Sequence, residues 1–244
     1  MKTYCLGIAM FIFALSSSFG EIRNGYGNEI HGARASLKIL ETMVTGDKNL
    51  SLFQKVDLNT KIERLRKFIT YYELTENLLA QFRTITPTLY HEIDSIKDSI
   101  GRPVHVYVKF LPEESMQGGI SGTTTLEQAA SDKDAYFSEY GLNTVSLSIS
   151  TVNRCLLLLA HEFGHVKYQV PHIAAYMEFY STYYQNNNFT AKEIGHNSND
   201  PSGQSASIYE KRLHKEYLEF LKKTTDKLES PSSLVQGIRK SLIH

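Results

Sequence analysis

The stretch VNRCLLLLAHEFGHV, residues 152–166, decides how this chain is read. An apolar run from Leu156 to Ala160 leads directly into His161-Glu162-Phe163-Gly164-His165. Thr151 predicts the start of a helix and Pro171 its end, because a proline ring clashes with the preceding turn of a helix interior. On that helix His161 and His165 share one face, with Cβ atoms about 5–6 Å apart. Two imidazoles so placed can converge on one Zn²⁺ at roughly 2.0–2.1 Å each. Glu162, one position on, reaches a bound water without taking a coordination position. The chain's own His and Glu frequencies give roughly 0.02 chance matches to H-E-x-x-H over its length, so a pair of ordinary helix histidines is the weaker explanation. Gly164 keeps the helix surface small where another element can approach.

Immediately upstream, Asn143 to Ser150 (NTVSLSIS) alternates apolar with polar residues, the period of a strand. Val104, Val106, Val108 and Phe110 alternate with His105, Tyr107 and Lys109 and predict a second strand, ended by Pro112. Between them, Gly118 to Thr125 (GGISGTTT) lacks both the Gly-Lys-Ser/Thr of a phosphate loop and the spacing of a nucleophile elbow. It reads as a loop or an irregular edge strand. Helices are predicted over 33–44, stopped by Gly46-Asp47, over 57–79 and over 87–100. The second has an apolar face of Leu58, Ile62, Leu65, Ile69 and Tyr72. Downstream come an aromatic-rich helix over 172–185, a polar loop over 186–204 and a last helix over 205–228, with Leu213, Tyr217, Phe220 and Leu221 inward. The order helices, strands, helices indicates α+β rather than alternating βαβ units.

At the scale of the chain, 244 residues with 41% hydrophobic content exclude a disordered or low-complexity protein. Lys plus Arg number 26 and Asp plus Glu 26, so the basic excess typical of nucleic-acid binders is missing and no nucleic-acid partner is expected. The first twenty residues, MKTYCLGIAMFIFALSSSFG, place Lys2 before an apolar stretch and small residues up to Gly20. That is the layout of a secretory signal peptide, too short to span a bilayer. The expectation is therefore a secreted or periplasmic protein, with no stable membrane insertion after signal removal. Residues 21–244 form one domain, with an N-terminal helical part at about 31–100 and a catalytic part at about 103–228. Glu21 to about Val56 could hold a propeptide. Cleavage leaves Cys155 as the one cysteine, unable to form an intramolecular disulfide and best placed as a small packing residue.

HEFGH on an apolar helix, preceded by an alternating strand, resembles the zincin metallopeptidases. The resemblance covers about 104–221, and its specific part is the five-residue motif. It implies a zincin-like α+β fold: a small mixed β-sheet, an active-site helix, a mainly helical second lobe and a cleft holding the metal. It also implies that NTVSLSIS is the edge strand along which an extended peptide docks by strand addition. The activity implied is zinc-dependent hydrolysis of peptide or protein substrates, with Glu162 as general base. A catalytically idle secreted binding protein on the same scaffold, and a zinc amidase acting on a non-protein cell-wall amide, are the alternatives.

The third zinc ligand departs from the known subgroups. Regular metzincins need Gly at 168 and His at 171; this chain has Tyr168 and Pro171, with His172 one position late. The gluzincin layout uses a Glu on a following helix, for which Glu178 comes early and Glu210 is better placed. The preferred ligand is His196, in the loop GHNSNDPSG (195–203), with Asp200 orienting it from behind. Asp200 is itself an alternative ligand, although Asp-Pro before a helix also reads as an N-cap followed by proline at the first helical position. Tyr168, Tyr176 and Tyr180 are candidates for contacting a developing oxyanion, their helical spacing marking them first as packing residues. His172 reads as a surface or cleft-rim residue, and His105 has no assigned role.

Overall fold

A computed structural model describes residues 21–116, 121–126, 143–148, 150, 154–176, 178–179, 182 and 200–229. The chain opens with strand β1 (Glu21–Asn24) and one 3-10 turn (Gly27–Glu29), followed by α1 (Ile30–Gly46), α2 (Leu52–Ile85) and α3 (Pro87–Asp94). Strands β2 (His105–Leu111), β3 (Gly122–Leu126) and β4 (Asn143–Ser148) come next, then α4 (Cys155–Gln169) and α5 (Pro201–Glu229). The result is a mixed α+β fold, mostly helical, with one small four-stranded sheet.

The sheet order is β1-β2-β4-β3. β1, β2 and β4 run parallel, and β3 pairs antiparallel with β4. NTVSLSIS is therefore not the edge strand expected from the zincin resemblance: β4 lies between β2 and β3, and β3 is the edge. The reason lies in Thr123-Thr124-Thr125, β-branched residues that favour an extended backbone and pair in register with β4. β1 has no counterpart among the predicted elements. Its four residues, EIRN, hold one apolar side chain and show no alternation. Parallel pairing of β1 with β2 needs a long crossover, which α1, α2 and α3 supply.

Packing follows the predicted periods. In β2, Val106, Val108 and Phe110 are buried on the face they share with Val145 and Leu147 of β4. Leu78, Leu79 and Phe82 from α2 join this core with Leu89 and Ile93 from α3 and Leu159, Phe163 and Val166 from α4. Phe163, inside HEFGH, meets Phe82 edge to face at 5.2 Å between ring centroids. α2 begins at a reciprocal cap in which Gln54 N donates to Ser51 Oγ and Ser51 N donates to Gln54 Oε1. The predicted 87–100 helix stops at Asp94, because Asp98 organises a turn instead: its carboxylate accepts from the Ile100 and Arg102 amides, and Gly101 takes φ +83°. The inward face predicted for the last helix holds only at its start. Leu213 is buried, but Tyr217 and Leu221 are 39% and 41% exposed. A helix of 29 residues is roughly 44 Å long and outruns the core beneath it. Among the described residues no helix is long and apolar enough to cross a membrane.

Candidate functional site

α4 and α5 pack antiparallel, and the site lies along their contact. His161, His165 and Gln169 recur every four residues on α4, and Ser202, Ala206 and Glu210 do the same on α5. The two stripes face each other. Glu210 Oε1 lies 2.7 Å from His161 Nδ1, and Ser202 Oγ lies 2.8 Å from His165 Nδ1. Gln169 Nε2 donates to the same Ser202 oxygen at 2.8 Å. Close approach at the crossing depends on Gly164: a Cβ there would stand 2.4 Å from Ala206 Cα.

The two Nε2 atoms point at one another across 3.1 Å. Nitrogens bound tetrahedrally at roughly 2.0–2.1 Å stand about 3.3 Å apart, so the separation fits a shared Zn²⁺. The partners on the far ring nitrogens fit as well. A carboxylate only accepts, so His161 Nδ1 carries the hydrogen toward Glu210 and Nε2 presents a lone pair. Ser202 can serve either tautomer of His165. Without a cation it donates to Nδ1, and His165 Nε2–H donates across the gap. With a cation it accepts from Nδ1–H, and both Nε2 lone pairs are available for coordination. His161 is 15% exposed at its side chain and His165 is buried, so the pair is reached from the His161 side.

Glu162 is 4% exposed and lies against the edge strand. Thr124 Oγ1 donates to its Oε2 at 2.6 Å, and Gly122 passes so close that a Cβ would stand 2.7 Å from Oε1. Burial pushes this carboxyl above the usual range for Glu; the Thr124 hydroxyl and the neighbouring His161 pull it partly back. A carboxylate held this way, proton-hungry but anchored, is suited to general-base work.

The geometry revises two of the alternative ligands. Glu210 sits behind His161, on Nδ1, and orients the ring rather than joining the Nε2 side. Asp200 caps α5: its Oδ1 accepts from Ser202 N at 2.9 Å and its carbonyl from Gln204 N at 3.0 Å, with Pro201 at the first helical position. His196, Tyr180 and the signal segment 1–20 lie outside the described residues. Among the described residues no group of three or more His, Cys, Asp or Glu side chains is placed to hold a metal ion. Glu178 and His172 are exposed, and Tyr168 packs against both His172 and Tyr176. Cys155 is half-buried against the core, where burial raises its thiol pKa. Thr124, Gly122, Ser202 and Gln169 are site residues that the sequence reading misses. The four-residue stripes of α4 and α5 are the available signal for the last two.

No protein-family model matches the chain, and neither does any curated protein or solved structure.

Proposed function

We propose that the protein is a secreted zinc-dependent peptidase of zincin-like architecture, with His161 and His165 as two of the metal ligands and Glu162 as general base. One observation carries the reading: two Nε2 atoms face each other across 3.1 Å while both Nδ1 atoms are held from behind by Glu210 and Ser202. That arrangement supports coordination of a cation because the His161 lone pair, which accepts from His165 Nε2–H when no cation is present, is held fixed and aimed at the gap. His196 is the third ligand proposed from the sequence.

When bound, zinc lowers the pKa of a water toward neutrality and polarises the scissile carbonyl. Glu162 accepts the proton of the attacking water and returns it to the leaving amine. Thr124 anchors the carboxylate during both transfers, and the absence of a side chain at Gly122 leaves it the room it occupies. His161 and His165 keep their orientation through Glu210 and Ser202. An anchored Glu162 beside the pair favours an enzyme over an idle binding scaffold, which would need no general base there.

The test is direct. Glu162→Gln should bind one equivalent of Zn²⁺ per chain and lose peptide hydrolysis by at least a hundredfold. His161→Ala should lose the metal. Hydrolysis by Glu162→Gln at the wild-type rate, or stoichiometric zinc in His161→Ala, rejects the assignment. Assaying mixed peptides beside peptidoglycan fragments, with and without chelator, separates a peptidase from a cell-wall amidase.

A further inference from the structure

Along the contact between α4 and α5, Ser202 ties the first turn of α5 to His165 and Gln169, and Gly164 against Ala206 sets how near the helices lie. Glu210 lies about two turns beyond Ser202, where two such small residues add no interlock against rotation of α5 about its own axis. Rotation matters here. A turn of about 20° moves a side-chain tip at about 6 Å radius by about 2 Å, enough to break the 2.7 Å bond from His161 Nδ1 to Glu210.

Further control at the level of Glu210 comes from the other flank of α5, beside the point where Tyr209 and Leu213 enter the core. Glu92, on α3, accepts from the Tyr209 hydroxyl at 2.7 Å and from Arg212 Nη1 at 2.9 Å on Oε2, and from Arg212 Nη2 on Oε1. The Arg212 guanidinium lies over the Tyr209 ring, 5.2 Å from its centroid. A lone surface ion pair would hold nothing in place. This one is bidentate, has a third donor and joins elements 120 residues apart. Tyr209 immediately precedes Glu210, about 100° around the helix. Fixing the first therefore fixes the direction of the second.

We infer that Glu92 is a positioning residue for the histidine pair, acting through Tyr209 and Arg212 to set the rotation of α5 that aims Glu210 at His161. The inference rests on reading the pair as metal ligands, but part of its test needs no metal. In the full-length metal-free chain, the His161 Nδ1–H bonded to Glu210 gives a downfield proton resonance. Glu92→Gln should lose that resonance and weaken Zn²⁺ binding about tenfold in chelator competition. Cobalt substituted for zinc should show an altered visible absorption in the same variant. The exchanged pair Glu92→Arg with Arg212→Glu should restore all three in part, since it rebuilds the ion pair but leaves the Tyr209 hydroxyl without its acceptor. Tyr209→Phe, which keeps the ion pair, is the milder variant and should show an intermediate loss. An unchanged resonance, zinc affinity and cobalt spectrum in Glu92→Gln and Tyr209→Phe, with only a lower thermal midpoint, overturns the inference. A wild-type chain that gives the resonance but binds no zinc rejects the metal reading, and the resonance alone then decides the role of Glu92.

Discussion

Glu162 carries its carboxylate where charge is hard to keep, buried against a strand that offers it one hydroxyl. Its raised pKa has two consequences of known sign. In the proposed general-base role Glu162 must be ionised, so hydrolysis is expected to climb as pH rises through that pKa. Thr124→Val removes a hydrogen bond to the ionised form and should shift the acidic limb of kcat/KM to higher pH, while Thr124→Ser should leave it in place. For stability the charge is a burden, which appears as pH rises above the unfolded-state value of about 4.3 and is complete above the folded one. Glu162→Gln should therefore exceed wild type in urea midpoint at pH 7, with the gap closing toward pH 4; a gap independent of pH would contradict burial of the charge as its cause. HEFGH is legible because its geometry is local, a matter of one helical turn. Thr124 is not, because it meets Glu162 from 38 residues away. Ser202 reaches His165 across 37. No local pattern marks such partners.

Between elements, the α4–α5 crossing is the tightest joint in the site. Gly164→Ala would push a methyl into Ala206 Cα at 2.4 Å, with backbone atoms of Ser205 and Ala206 at 2.7 Å. Backbone cannot step aside cheaply, so the loss should be about 3 kcal/mol in urea unfolding. Zinc affinity should fall as well, since Ser202 and Glu210 move with the displaced helix. The small residue at 164 is legible as room for an approaching element; which element approaches is not. α2 and α5 lie where periodicity predicts helices, but their ends differ. α2 extends past both predicted ends, starting at the Ser51 cap, and α5 starts at the Asp200-Pro201 signal. In both cases capping chemistry, and not the apolar period, sets the boundary. The edge strand is legible in part: 118–125 reads as a loop or an irregular edge strand, and β3 lies there. Alternation, however, shows only that a strand has one buried face and says nothing about its neighbours, so the interior place of β4 is not legible.

Over the whole molecule, the segment before residue 57 includes β1, so shedding it as a propeptide would remove one strand of the four-stranded sheet. β1 contributes Ile22 to the core, and the Ile22 amide donates to Asp94 Oδ1 at 3.0 Å, which seals that edge against a guest strand. Deleting residues 21–24 should expose the flank of β2, lower the thermal midpoint and bring on concentration-dependent association visible by light scattering. An unchanged midpoint and a monomer at all concentrations would show β1 to be dispensable. This layer of organisation is the least legible, since pairing partners far apart in sequence leave no periodic trace. The distance has a kinetic meaning too. Tyr26, just past β1, bonds to Phe110, 84 residues downstream, whereas α1 and α2 satisfy their backbones locally. Helices of that kind form in about microseconds, and closing so long a loop comes later. The pairing of β1 with β2 is thus expected late in folding, and a chain still waiting for it offers the flank of β2 to any stranger of the same sequence.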